Sequence, residues 1–149
     1  MQTFRLERHI EVPRQRDEVF PFFADAGNLE TLTPPWLRFR IVTPQPIAMG
    51  VGARIDYRLS LRGIPLRWTS EITAWEPPLR FVDTQIRGPY RKWVHEHLFE
   101  EVDGGTRIID RVDYAVPGGA VVRRLFVLPQ LTGIFDYRRH VMQQTFGSA

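Results

Sequence analysis

His95 and His97, one residue apart in the run Trp93-Val94-His95-Glu96-His97-Leu98-Phe99, have the greatest capacity for chemistry in this 149-residue sequence. Alternate residues of a strand face the same side, so the two imidazoles would project together, ~6.6 Å apart along the chain. Three kinds of chemistry suit such a pair. It can begin a metal site, but that needs three or four converging ligands, and the other histidines, His9 and His140, have no comparable context. No metal or other cofactor is expected. The pair can hydrogen-bond a ligand or act as acid and base near neutral pH. Alternatively, both rings can be satisfied interior groups that hold a sheet in register, since buried polar groups normally have partners.

Two carboxylates belong to the same question. Asp103-Gly104 is a two-residue hairpin signal. Such a turn pairs Phe99 with Ile108, His97 with Asp110, His95 with Val112 and Trp93 with Tyr114. Asp110 then faces His97 on the buried side, where an ionised carboxylate needs a cation or donors. The side taken by Asp83 depends on loop length. A four-residue Glu76-Pro77-Pro78-Leu79 loop puts Phe81, Asp83 and Gln85 inward. A two-residue Gly88-Pro89 loop would instead turn Val82, Thr84 and Ile86 inward. A three-residue Gly88-Pro89-Tyr90 loop agrees with the first and pairs Asp83 with His95, and is preferred. Asp83, His95, His97 and Asp110 are thus the acid–base candidates. Ser70 is expected inward without a histidine beside it, which argues against a nucleophilic serine, and no glycine-rich phosphate loop is present.

The elements that must hold these groups follow from periodicity. Phe4 to Val12 reads as a strand stopped by Pro13, and about Arg16 to Ala24 as a short helix with Pro21 inside it. Asn28 to Thr33 suits one more helical turn before Pro34-Pro35. From Phe39 to Tyr114 the period is two, the mark of half-buried strands. Ile55, Tyr57, Leu59 and Leu61 share one face, as do Leu66, Trp68, Ile72 and Ala74. A two-residue Arg62-Gly63 loop sets Leu59 against Leu66 and Tyr57 against Trp68. From about Ala120 to Phe146 the pattern is helical, with Leu128, Leu131, Phe135 and Met142 on a common side. Pro129 should break or kink that helix near Leu125 to Leu128.

Composition narrows the function. Hydrophobic residues at 43% and charged residues at 25% suit a folded soluble protein. The absence of cysteine removes disulfides, thiolate metal sites and a cysteine nucleophile. The net charge of +3 is spread along the chain, and Lys92 is the only lysine among 20 basic residues, the rest being arginine. A nucleic-acid footprint needs clustering, so no nucleic acid is expected. No apolar run approaches the ~20 residues of a membrane span. A cytoplasmic monomer or homodimer without stable membrane insertion is therefore expected, as one domain over residues 1–149.

The order of elements, together with particular stretches, resembles the SRPBCC or START-like superfamily, including polyketide cyclases, lipid-transfer domains and the birch-pollen-allergen family. It is most similar to the bacterial ligand-binding SRPBCC branch. The stretches are Val12-Pro13 through Phe20, Leu32-Thr33-Pro34-Pro35-Trp36-Leu37, Trp75-Glu76-Pro77-Pro78, Gly88-Pro89-Tyr90, Trp93 to Phe99, Gly104-Gly105-Thr106 to Tyr114, and Ile134-Phe135-Asp136-Tyr137-Arg138.

The resemblance implies an α+β helix-grip fold, a curved antiparallel sheet of about seven strands wrapped around a long C-terminal helix. It also implies a cavity between the two for a lipid, polyketide or quinone-like ligand, and it carries over no fixed catalytic set. The expected wall comprises Tyr57, Trp68, Ile72, Trp93, His95, His97, Phe99, Ile108 and Tyr114 from the sheet, with Leu128, Leu131 and Phe135 from the helix; Tyr137 is a further aromatic candidate. Binding of a small hydrophobic ligand is the leading function. The alternatives are a cyclase, dehydratase or aromatase using the interior His and Asp groups, and an interaction module whose cavity is filled. A ligand site would hold ~300–1,000 Å3.

Overall fold

The structure, a computed structural model, describes residues 1–147; Ser148 and Ala149, the end of the expected domain span, lie outside the described residues. Strand β1 (Phe4–Val12) leads into α1 (Arg16–Ala24), α2 (Asn28–Leu32) and a 3-10 turn over Pro35–Leu37. Six strands follow: β2 (Arg40–Ile41), β3 (Arg54–Leu61), β4 (Ile64–Glu76), β5 (Arg80–Arg87), β6 (Lys92–Val102) and β7 (Gly105–Ala115). They form one antiparallel sheet of seven strands in the order β1-β7-β6-β5-β4-β3-β2. The C-terminal segment is α3 (Gly119–Val122), a π-helical turn over Arg123–Val127, and α4 (Leu128–Phe146). This is the helix-grip architecture.

The hairpin registers follow from turn chemistry. Arg62 and Gly63 take φ of 53° and 79°, the left-handed pair that a two-residue turn with the right twist requires. Leu59 then opposes Leu66 and Tyr57 opposes Trp68. The Asp103-Gly104 turn sets Phe99 against Ile108, His97 against Asp110, His95 against Val112 and Trp93 against Tyr114. Gly105 is required for a different reason: a Cβ there would lie 1.9 Å from the carbonyl oxygen of Val12, where β1 closes against β7. On the outer face of β1, β6 and β7 arginines are matched by carboxylates, as in Arg5–Asp113, Arg107–Glu11 and Arg111–Glu96, whereas Arg40, Arg58 and Arg67 are consecutive cross-strand neighbours at the other end of the sheet.

The β4–β5 ladder departs from simple alternation at two places: Ile86 of β5 is extra between the Thr69–Arg87 and Ser70–Gln85 pairs, and the second lies in β4. The tip between β4 and β5 has three residues, with Glu76 opposite Arg80, and a bulge between Ile72 and Ala74 accommodates Thr73 as an extra residue. Thr73 and Ala74 therefore both border the outer groove, so Ala74 faces outward, contrary to the period-two expectation. Trp75 turns inward against Phe20 and Phe81, at ring separations of 5.5 Å each. A bulge puts two residues opposite one, which moves the alternation on by one position.

The helix lies across the concave face as two contacts. Met142 and Phe146 join Ile10, Val12, Phe20, Phe23, Phe99 and Ile108 at one end. Leu131 and Phe135 join Leu59, Trp68, Trp93 and Val112 at the other. Truncating Phe135 to alanine in such surroundings costs roughly 3–5 kcal/mol. The π turn ends just before Leu128-Pro129, where the proline can donate no backbone hydrogen bond and the ladder must re-form around it.

Candidate functional site

Between the two helix contacts the interior is not filled. A cavity of about 160 Å3 remains, walled by aromatic side chains of the sheet including Tyr57, Trp68, Phe81 and Trp93, with Leu131 and Phe135 above them. Tyr57 and Trp68 stack at 5.8 Å, and Trp93 meets Trp68 edge-on at 5.4 Å. Their polar tips are satisfied within the wall: the Tyr57 hydroxyl and Trp68 Nε1 both reach Ser70 Oγ, at 3.1 and 3.0 Å.

The polar end is built from three strands and the helix. On β6, His95 and His97 project inward side by side, rings stacked at 3.7 Å, with Phe81 stacked on the far side of His97 at 4.1 Å. Asp83 on β5 is the cross-strand partner of His95, and Asp110 on β7 that of His97. This is the register expected from the loops, because the three-residue turn plus the Thr73 bulge leaves Asp83 on the same side as the four-residue loop would. The hydrogen bonds, however, are exchanged. Asp110 Oδ1 lies 2.8 Å from His95 Nε2, and Asp83 Oδ2 lies 2.6 Å from His97 Nε2. The direct neighbours are farther apart, at 3.6 Å for His97 Nδ1–Asp110 and 3.9 Å for His95 Nδ1–Asp83. The expected couples are thus corrected to diagonal ones.

The group that completes the cluster is Arg138, buried on α4. It donates from Nε to Asp110 Oδ2 at 3.1 Å, and its Nη2 lies 3.3 Å from His97 Nδ1. Sequence reasoning did not single it out as a site residue. Its position, three after Phe135 and four before Met142, places it on the buried side of the helix, and that was the available signal.

Charge states follow from these contacts. Burial alone would raise the Asp110 carboxyl, but Arg138 and the two imidazoles outweigh it and hold the group well below the usual carboxylate range. Burial raises the Asp83 carboxyl, but the His97 hydrogen bond and the electrostatic pull of His97, His95 and Arg138 outweigh it and lower the group. His97 is pushed down to about 4 by burial and by His95, against the pull of Asp83. At neutral pH it is an uncharged ring that donates from Nε2 to Asp83 and accepts at Nδ1 from Arg138. His95, donating Nε2–H to ionised Asp110, has its other nitrogen, Nδ1, on the side of Asp83 and the cavity.

Asp83, His95 and His97 each offer one ligand atom within 4.8 Å of the others. A metal there would have to displace the Asp83–His97 hydrogen bond and sit beside the Arg138 guanidinium. That donor set is already matched internally and is a poor fit to a cation.

Of the expected wall, Tyr57, Trp68, Ile72, Trp93, His95, His97, Leu131 and Phe135 line the cavity. Phe99, Ile108, Tyr114, Leu128 and Tyr137 do not. Phe99 lies beneath Phe20 and Phe23, at 5.2 and 5.3 Å, and Ile108 joins the same cluster. Tyr114 is sealed between Phe4 and Trp93, its hydroxyl accepting from Arg123 Nε at 3.2 Å. Leu128 is only half-buried at the start of α4, and Tyr137 packs edge-on against Trp36. The wall also takes in Leu29, Leu37, Phe39, Met49 and Tyr90, from segments whose spacing has no single period. Tyr90 is held by Gln85, which bonds both its carbonyl and its amide, at 2.8 and 3.1 Å.

Comparison with known proteins places this geometry in context. A family model described as polyketide cyclase / dehydrase and lipid transport matches residues 3–138. No curated protein is similar enough in sequence to be matched. Among solved structures, a Thermus thermophilus protein superposes with a TM-score of 0.72 at 18% identity, over 96% of this chain and 95% of that one. A major latex-like protein of Panax ginseng does so with 0.72 at 12%, over 98% and 99%. A nucleoside-diphosphate sugar epimerase of Corynebacterium glutamicum matches with 0.69 at 26%, over 93% of this chain but 28% of that one.

Proposed function

The chain belongs to the polyketide cyclase/dehydrase and lipid transport family, and on that footing we propose that it binds a small, mostly apolar ligand non-covalently between sheet and C-terminal helix. The observation that carries this reading is the cavity itself: an unfilled, aromatic-walled space with polar groups at one end, the usual composition of a small-molecule site. At about 160 Å3 it is smaller than the ~300–1,000 Å3 expected of a ligand site, and an interior that is not fully packed is what separates this reading from an interaction module with a filled core. Carriage, sensing or protection of the ligand would each use such a site. The proposed setting is cytoplasmic, as monomer or homodimer. No helix among the described residues is long and apolar enough to cross a membrane. Native mass spectrometry of protein purified from its own host tests the reading: a bound small molecule of fixed mass, lost on unfolding, is the expected result, and empty protein in every preparation is the adverse one.

A second reading, an acid–base cyclase or dehydratase, is favoured by His95. Its ring is backed by Asp110 and borders the cavity, the arrangement a general base needs. A host-derived ligand that is released chemically changed by the intact protein, but unchanged by a His95→Gln variant that still binds it, would establish this reading over simple binding.

A further inference from the structure

Three observations about the cavity narrow its ligand beyond "small and apolar". The first is volume. About 160 Å3 is close to the ~150 Å3 of an apolar protein cavity that accepts benzene, and well below what a lipid chain or a fused-ring ligand fills. The second is an inventory of hydrogen-bonding atoms at the polar end. The tips of Tyr57, Trp68 and Ser70 satisfy one another, and both nitrogens of His97 are engaged, by Asp83 and Arg138. Arg138 has Nε on Asp110 and one Nη2 hydrogen towards His97, leaving the second Nη2 hydrogen and both of Nη1. His95, 7% exposed, has Nε2 on Asp110 and no hydrogen-bond partner at Nδ1, the Asp83 oxygen standing 3.9 Å away. His95 lines the cavity, so a bound molecule can supply the partner that Nδ1 lacks within the chain.

The third observation is charge. Asp83 and Asp110 place two carboxylates at the polar end beside the one guanidinium of Arg138, so a carboxylate on the ligand would be a third at the same place. A ligand carboxylate would be repelled there, whereas a neutral donor would be welcomed.

We propose that the cavity is a site for a compact, neutral alcohol or phenol of single-ring size, bound with its hydroxyl donating to Nδ1 of His95. The inference rests on the binding reading and names its ligand class. The hydroxyl supplies the missing partner of His95, and the ring occupies the space between Tyr57, Trp68, Trp93 and Phe135.

The test is calorimetric titration of the full chain with p-cresol, toluene and p-toluate, which share a ring and a methyl group and differ in the polar substituent. The expected result is p-cresol bound about tenfold more tightly than toluene, the worth of one buried hydrogen bond, and p-toluate more weakly than either. Imidazole nitrogen NMR of the same samples supplies a readout that needs no variant: one Nδ1 resonance shifts with p-cresol and stays fixed with toluene. Equal affinity for toluene and p-cresol, tightest binding of p-toluate, or an unmoved Nδ1 resonance would each overturn the hydroxyl site while leaving apolar binding intact. Binding of none of the three would overturn the binding reading as well.

Discussion

His97 and Asp110 are direct cross-strand neighbours, yet Asp110 makes its short contact with His95, at 2.8 Å against 3.6 Å to His97. The right-handed twist of adjacent strands swings side chains across the ladder, and diagonal neighbours lie within reach of long or ring side chains. A stability consequence follows. Asp110→Asn should destabilise the protein by about 3 kcal/mol, because Arg138 would be left buried without its carboxylate. In double-mutant cycles read by urea unfolding, the coupling of Asp110 to His95 should exceed its coupling to His97. The reverse order would show that the ladder partner, and not the diagonal one, carries the interaction.

The buried, uncharged His97 makes stability pH-dependent. Its folded pKa of about 4 lies below the ordinary 6.5, so between those values the unfolded chain binds more protons and stability falls as pH falls. The contribution is fully present above 6.5 and is lost as the solution approaches pH 4. At pH 5 the protein should be about 2 kcal/mol less stable than at pH 7.5. The lowered pKa of Asp110 acts in the same direction only at more acidic pH. Denaturant melts across this range check the slope, which a His97→Gln variant should largely lose; a flat profile would mean that His97 is charged in the fold.

Zinc should not bind stoichiometrically. Asp83, His95 and His97 are close enough to share an ion, but the Asp83–His97 hydrogen bond and the Arg138 guanidinium occupy its place. Elemental analysis of the purified protein showing one equivalent of zinc or iron, absent from a His95→Ala/His97→Ala variant, would contradict this.

Two adjacent glycines should respond differently to alanine. Gly104, at φ 80° with open space around it, should cost about 1–2 kcal/mol through backbone conformation alone. Gly105, whose Cβ would strike the Val12 carbonyl at 1.9 Å, should cost more than that, because β1 would have to move off β7. Thermal unfolding of the two variants separates the mechanisms, and a milder effect at Gly105 would mean that β1 is free to shift.

Much of the fold was legible because it rests on local chemistry. The Arg62-Gly63 and Asp103-Gly104 turns fix register, and register fixes which side chains meet across a ladder. The inward sides of Asp83, His95, His97 and Asp110 were accessible by that route. What escaped was set by geometry beyond the ladder. Twist chose the diagonal hydrogen bonds. Arg138 was brought to Asp110 by the seat of α4 on the sheet, which no spacing within the strands encodes. Phe99, Ile108 and Tyr114 were rightly placed inward but wrongly placed on the cavity, because facing the interior does not say which part of it is already full. Phe20, Phe23 and Phe146 fill one end, and Phe4, Trp93 and Arg123 close over Tyr114 at the other.

The bulge at Thr73 has a meaning for how this chain can change length. Everywhere else in β4, losing one residue would invert the facing of every side chain on one side of the gap. At Thr73 it would not: Ile72 and Ala74 already oppose Asp83 and Val82, which are consecutive in β5, so the strand could close over the loss with both faces intact. The forfeits would be the Thr73–Thr84 hydroxyl contact at 3.0 Å and the extra local bend that a bulge confers. Descendants of this sequence could therefore shed that residue in a single step, reshaping the curvature of the ligand-facing sheet without reassigning any residue to core or solvent.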